Sequence, residues 1–471
     1  MPKKAPPSQR DRLHLLDQFK PGTPPATMAI DLLQMMIRVD TSNPPGNEIE
    51  LATKLEAWVQ SQGMDLVTTR IFESEPGRAD LIVDIPGTEP ESHPSWGFMS
   101  HLDVVPAEGT WTYPPFAAEI VEAEHDSFIW GRGAMDIKYM GAAHLTAAFT
   151  LLSEGFRPKG NIKILLCADE ECGGHKGLDW LAQNHPDAIK VDCCLNEGGG
   201  FKIPLKDDFV IQTGEKGIFW TKFKIHGKGG HGSMPPPHNT TAIYKMVAAL
   251  ERLKKFKPKM IINKEYISTI DAMSIPGAIK FLLKRKSLLR GLLNLAGKVA
   301  KVNLAQVVLP LVSDSIAVTN FHSGMKENSI SPDAEITLDI RTLPGHGREH
   351  VNAMIRKAIG AELFDQMEWE ARDNQMCTTS TTDNEYYKII ENIAREIYPG
   401  ANLVPMLSAG STDCKFYRER GMHAYGFCPV IKDEDMTYAQ LLALAHNADE
   451  RISLTNLLLG VDFNYRIMKQ V

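Results

Sequence analysis

The chain offers little to a disulfide scaffold, a nucleic-acid surface or a membrane span. Its seven cysteines among 471 residues are odd in number, and no two stand in a CxxC pair. Neither a disulfide framework nor a cysteine-based zinc cluster is therefore expected. Positive charge is not in excess: 51 Lys and Arg face 58 Asp and Glu, a net charge of −7, which argues against general nucleic-acid binding. No run of about 18 uninterrupted apolar residues occurs, so no spanning helix is expected. Met1-Pro2-Lys3-Lys4-Ala5-Pro6-Pro7 carries charge with no apolar stretch behind it, unlike a secretory leader. What remains is 43% hydrophobic and 23% charged residues, ordinary for a globular enzyme. A cytoplasmic protein with free thiols is the expectation. The length admits two domains, or one large domain with a substantial insertion.

Residues 1–25 are polar and proline-bearing, and a loose segment is expected there. Apolar residues at helical spacing mark 28–39 and 49–62. Strand-like runs follow at 81–85, 96–100 and 162–167, with a long helix expected over 135–154. Strands alternating with helices argue for a sheet covered on both faces, where reacting groups gather at strand ends. A second unit begins near Gly214. Strands at 219–225, 316–321, 334–340 and 367–371, with helices near 240–253 and 351–359, give the β-α-β-β-α-β order of a ferredoxin-like sandwich. The expected division is a discontinuous catalytic unit of residues 1–213 and 378–471, with a lid or dimerisation unit of 214–377. The lid carries an insertion at about 258–315. Beyond 383 the pattern returns to helix and strand, with a last helix expected near 441–450.

The residues able to do chemistry sit at the strand ends. His101 and Asp103 lie two apart, so on an extended segment both face one way; one can bind a metal while the other steadies it. Asp136 follows the turn Gly131-Arg132-Gly133 where a helix begins, and a single carboxylate there can bridge two ions. It reads equally as an acid at the positive end of a helix. Glu170 and Glu171 are adjacent after an apolar strand, so one can ligate while the other acts as general base; they also suit a solvated turn. Glu197 precedes three glycines after another strand. His446 reads as a residue at a helix start, where a lone histidine commonly has only a packing role. Together these groups supply two histidines and three carboxylates beside a candidate base. That is enough for two metals about 3.5–4 Å apart that activate water and polarise the bond it attacks.

In order and context these residues resemble the family of aminoacylase, glutamate carboxypeptidase and succinyl-diaminopimelate desuccinylase, the co-catalytic zinc hydrolases. The similarity is carried by several segments from about residue 28 to the C-terminus. They are His101-Leu102-Asp103, Gly131 to Lys138, Asp169-Glu170-Glu171, Asn196-Glu197-Gly198-Gly199, Gly229 to Pro235, Asp339 to Gly345, Gly410-Ser411-Thr412-Asp413 and the segment around His446. The resemblance implies a zinc-peptidase-like α/β catalytic domain with an inserted ferredoxin-like α+β lid. It also implies two Zn2+ per subunit, with Co2+ or Mn2+ as substitutes. Asp136 would bridge, Glu171 and His446 would complete one site, and His101 with Glu197 the other. Glu170 would be the base, Asp103 the orienter of His101, and His231 the lid histidine that stabilises an oxyanion, from the neighbouring subunit in dimeric members. Asn328, Arg341 and Gly410 would bind substrate, Arg341 through a fork that matches a carboxylate. One departure is visible: bulky Tyr139 follows Lys138 where many relatives carry glycine, and a narrowed pocket is expected.

Residues 278–312 hold Lys280, Lys284, Arg285, Lys286, Arg290, Lys298 and Lys301 and no acid. Leu288, Leu289, Leu292, Leu293, Leu295, Val299 and Val302 are interleaved. Such a segment can lie on an anionic membrane, line an entrance for an acyl chain or simply cover its own domain. An apolar-rich lid insertion resembles the carboxypeptidase S branch. The expected function is hydrolysis of an amide or peptide bond in N-acyl amino acids or short peptides bearing a free carboxylate, by a possible homodimer. The rivals are an acetyl or succinyl deacylase of amino-acid biosynthesis and an idle metal- or ligand-binding scaffold. The presence of Glu170 argues against the idle scaffold.

Overall fold

Alternation along the strands builds a sheet with two buried faces. In Arg78–Ile85, Leu81, Val83 and Ile85 enter one apolar cluster and Ile82 enters another; in Ile162–Cys167, Ile164 and Leu166 part from Leu165 and Cys167 in the same way. The side-chain period of two thus assigns each residue its face. The computed structural model describes residues 9–203, 207–291, 304–434 and 436–471. Its largest sheet has nine strands. In spatial order these are Thr68–Glu75, Arg78–Ile85, Ile162–Cys167, Trp96–His101, Cys193–Asn196, His423–Gly426 and Asp208–Glu215, with Thr378–Thr379 and Asn402–Ser408 both on the last. The four central strands from Ile162–Cys167 to His423–Gly426 run parallel to one another. Their C-terminal ends therefore open on one rim.

Helices cover both faces. Pro24–Ile37, Glu48–Ser61, Lys138–Ser153, Glu385–Ile397 and Leu454–Met468 fill the larger core, while Leu178–Asn184 and Cys414–Glu419 cover the opposite face. Thr23 caps Pro24–Ile37 by accepting from the amide of Ala26, with proline at the first helical positions, where a missing N–H costs nothing. Residues 9–25 are better anchored than their composition suggests. Phe19 is fully buried, and the Leu16 amide donates to Asp462 at 2.9 Å.

The second sheet has the order Ser315–His322, Asp333–Thr342, Gly217–His226, Met367–Ala371, antiparallel throughout. Ala242–Lys255 and Arg348–Ile359 pack on one face around Phe223, Ile336 and Leu338. This is the ferredoxin-like arrangement the sequence leads one to expect.

The inserted stretch differs from a lid extension. Lys264–Ala272 lies against the edge strand Asn402–Ser408 of the large sheet, where the Thr269 hydroxyl donates to the Pro405 carbonyl at 2.7 Å. Met260, Tyr266, Ile270, Leu289 and Val312 form a small core of their own. Ile279, Phe281 and Leu288 stay exposed, with Arg285 over the Phe281 ring at 4.7 Å. Leu292, Leu293, Leu295, Lys298, Val299, Lys301 and Val302 lie outside the described residues. No helix among the described residues is long and apolar enough to cross a membrane.

Candidate active site

Three strand ends and two loops meet at the rim. His101 closes its strand, and in parallel register it stands beside Cys167, just before Asp169-Glu170-Glu171. Asn196 ends the strand on the other side, so Glu197 enters from there. Asp136 comes from the turn before helix Lys138–Ser153. Within that turn Gly133 has φ +84°, and a Cβ would meet Val104 at 2.7 Å, so only glycine fits comfortably.

The two oxygens of Asp136 face different histidines. Its Oδ1 lies 3.3 Å from His101 Nε2, and its Oδ2 lies 3.1 Å from His446 Nε2. Each histidine has its own second acid: Glu197 Oε2 at 3.9 Å from His101 Nε2, and Glu171 Oε2 at 3.1 Å from His446 Nε2. His101 Nδ1 sits 2.9 Å from the Asp103 backbone carbonyl. A carbonyl only accepts, so Nδ1 carries a proton and Nε2 is the nitrogen turned to the centre. The Asp103 carboxylate, 3.6 Å from Nδ1, does something else. It accepts from the amides of Glu170 and Glu171, both at 3.1 Å, and from Asn43 at 2.8 Å. Its carbonyl orients His101 and its carboxylate holds the two-glutamate turn.

Burial and crowding set the charges. Glu170 is pushed well above the usual carboxylate range, first by burial and then by the neighbouring Glu197. Burial likewise raises Glu197, to about 8, against the pull of His101. Hydrogen bonds to Asp136 and Glu171 lift His446 to about 10. Asp136 is also buried, yet the hydrogen bonds of His101 and His446 outweigh that and hold it low. Glu171 Oε1 is buried without a hydrogen-bond partner. Two imidazole nitrogens and the carboxylates of Asp136, Glu171 and Glu197 converge here, and divalent cations of the zinc type would take the place of the protons they now share, so these residues fit a two-metal centre.

Several supporting residues are not among the expected site residues. Glu450 accepts from the amides of Met135 and Asp136 at 2.8 and 2.9 Å and pairs with buried Arg132 at 2.6 Å. Asp169 has φ +70°, tolerable for a short polar side chain that bonds locally. It accepts from the Lys176 amide at 2.8 Å and from Arg78 at 2.9 Å. Arg78 also binds Glu48 at 2.8 Å and Asn43 at 3.1 Å.

Other expected site residues lie farther out. His446 does not start a helix: it follows the short helix Tyr438–Leu442 in a turn at φ +63°, and the chain's last helix is Leu454–Met468. Tyr139 does not line a pocket. It is 1% exposed in the main core and faces Gly460. His231 is exposed on the short pair Gly230–His231 with Ser329–Ile330, beside Asn328, whose carbonyl accepts from the Gly232 amide at 2.9 Å. The Ser233 amide donates to His231 Nδ1 at 3.2 Å, which leaves the proton on Nε2. Among the described residues no hydrogen bond or ion pair joins His231 to the carboxylate cluster. The Arg341 fork is held by Asp339, at 2.7 and 3.0 Å. Gly410 is exposed, its amide donating to Ser408 Oγ at 3.1 Å.

A two-faced sheet with this rim and an inserted sandwich defines a metal-dependent peptidase or amidohydrolase. The chain belongs to peptidase family M20/M25/M40, which matches residues 97–470. Among curated relatives, probable carboxypeptidase S-like 2 of Dictyostelium discoideum is 26% identical over 390 residues, covering 78% of this chain and 70% of that protein. The human N-fatty-acyl-amino acid synthase/hydrolase PM20D1 is 26% identical, covering 82% and 75%. Rat aminoacylase-1A is 25% identical, covering 93% and 94%. In fold the chain is similar to the metallo-carboxypeptidase Sso-CP2 of Sulfolobus solfataricus, with a TM-score of 0.69, 19% identity and coverage of 94% and 98%.

Proposed function

We propose that the chain hydrolyses the amide bond of N-acyl amino acids or short peptides carrying a free carboxylate, using two divalent metals. The observation that carries this reading is the split partnership of the two Asp136 oxygens. His101, Glu197 and Oδ1 would hold one ion, and His446, Glu171 and Oδ2 the other; the donor set suits zinc, with Co2+ or Mn2+ as substitutes. When bound, such a pair polarises the scissile carbonyl and lowers the pKa of an attacking water. Glu170, as the carboxylate, would take the water's proton and deliver it to the leaving amine nitrogen. His231 Nε2–H would donate to the carbonyl oxygen as charge develops there. Asn328, Arg341 and Gly410 would receive the substrate's carboxylate end, the carboxylate replacing Asp339 as partner of Arg341.

The relatives support this substrate class by their names, which include an aminoacylase and an N-fatty-acyl-amino acid hydrolase. The test is metal content together with kcat/KM on acetyl, succinyl and long-chain acyl amino acids and on dipeptides. Turnover of at least one class by the two-metal protein is expected. Full metal loading with no turnover on any of them would leave an idle scaffold. Each enclosed methylene contributes about 0.8 kcal/mol. A rise of kcat/KM with acyl length would therefore assign the exposed Phe281 and Leu288 region to an acyl entrance, and a flat series would return it to a structural role.

A further inference from the structure

A second group of metal-ligating side chains lies at the root of the lid, apart from the rim. Asp314 immediately precedes the edge strand Ser315–His322 and is 5% exposed. His346 Nδ1 lies 2.9 Å from both of its oxygens, and His350 Nε2 lies 2.8 Å from Oδ2. The two imidazoles, four residues apart, stack with centroids 3.7 Å apart and planes inclined by 16°. Among the described residues no Lys or Arg forms an ion pair with Asp314. Lys216, which feels the Asp314 charge, donates its ammonium to the Ser313 carbonyl at 2.8 Å.

We infer that Asp314, His346 and His350 form a further metal site, for a divalent transition-metal ion, at the root of the lid. One ligand atom from each lies within 4.8 Å of the other two, close enough to share an ion. As neutral ligands both imidazoles can give a lone pair to one cation. Two nitrogens and one carboxylate oxygen select Zn2+, Ni2+ or Cu2+ over Mg2+ and Ca2+, which require mainly oxygen. The half-exposed His350 edge leaves room for water as a further ligand. The positive end of helix Arg348–Ile359 opposes a cation here, and the Asp314 carboxylate offsets it. An ion would tie the 343–346 loop, that helix and the start of Ser315–His322 together. This junction adjoins Lys216-Gly217, where the chain passes between the two sheets, and Ser315 pairs with Arg341. Occupancy would therefore stiffen the base of the lid. The inference does not depend on the substrate or on the number of ions held at the rim.

The experiment is metal counting and spectroscopy on the full chain. After saturation with Zn2+ and removal of free ions, His350→Gln should hold one equivalent less than the unaltered protein, whatever number the rim retains. With the rim filled by Zn2+, added Cu2+ should give an electron paramagnetic resonance signal split by two imidazole nitrogens in the unaltered protein. His346→Gln and His350→Gln should each lose that splitting. Because His346 and Asp314 are the more buried pair, the signal of the unaltered protein decides even if their variants misfold. Absence of a two-nitrogen signal there, or equal zinc counts in the unaltered protein and folded His350→Gln, would overturn the site.

Discussion

Glu170 and Glu171 share one short turn, yet only Glu171 reaches His446. Their substitutions should therefore separate chemistry from metal binding. Glu170→Gln should keep its metals and lose on the order of 10²–10⁴ in kcat, the usual span for a general base. Glu171→Gln should lose metal, measured by elemental analysis after dialysis. Equal metal loss in both, or an active Glu170→Gln enzyme, would refute the division. Glu450 makes a parallel case without touching substrate. It fixes the backbone of Asp136 and neutralises buried Arg132. Glu450→Ala leaves that guanidinium unpaired, which should cost about 3–5 kcal/mol in urea unfolding. It should also weaken metal binding by roughly 10- to 100-fold. A variant of unchanged stability would mean that water replaces the carboxylate.

At the scale of elements, helix Lys138–Ser153 runs almost wholly buried beneath the site, and His144 within it has neither ring nitrogen hydrogen-bonded. Burial alone drives its pKa down from 6.5 to about 3. Between those values the unfolded chain binds a proton that the native chain refuses, so stability falls as pH drops from about 6.5 toward about 3. The slope for one proton approaches 1.4 kcal/mol per pH unit. His144→Met should remove that slope and stabilise the protein near neutrality, while other acid-sensitive groups titrate alike in both proteins. Unfolding curves at pH 7, 6 and 5 that stay parallel would sink the argument. The same helix indicates what a sequence discloses. Its apolar positions, the alternating strands and the β-α-β-β-α-β order are local patterns, and the rim follows because strand ends in a parallel sheet share a side. The Asn43–Arg78–Asp169 network, the Arg132–Glu450 pair and the seat of the insertion on Asn402–Ser408 join residues far apart in the chain. No period or spacing records them. His446 misleads for a related reason: its turn is held by tertiary contacts, and its left-handed backbone has no signature in Ala445-His446-Asn447.

For the whole molecule the open geometry is at His231. Its ring is exposed with Nδ1 accepting from the Ser233 amide, and among the described residues no bond holds Nε2 or ties it to the rim. An exposed donor with no bond to its own cluster among the described residues would suit a two-fold dimer in which each lid serves the partner's site. His231→Ala alone should lower kcat by about 10²–10³, the cost of one oxyanion donor, with a smaller change in KM. Mixing His231→Ala with Glu170→Gln subunits then makes a sharper demand. In each mixed dimer one site combines an intact Glu170 with an intact His231 across the interface, and the other site lacks both. Random pairing at equal amounts puts about half the molecules in mixed dimers, so about a quarter of the unaltered activity should return. Recovery near that level, with each parent inactive alone, requires the histidine to act across subunits. Verified mixed dimers without recovery would place His231 over its own chain's rim. An unchanged kcat in His231→Ala would remove it from the chemistry altogether.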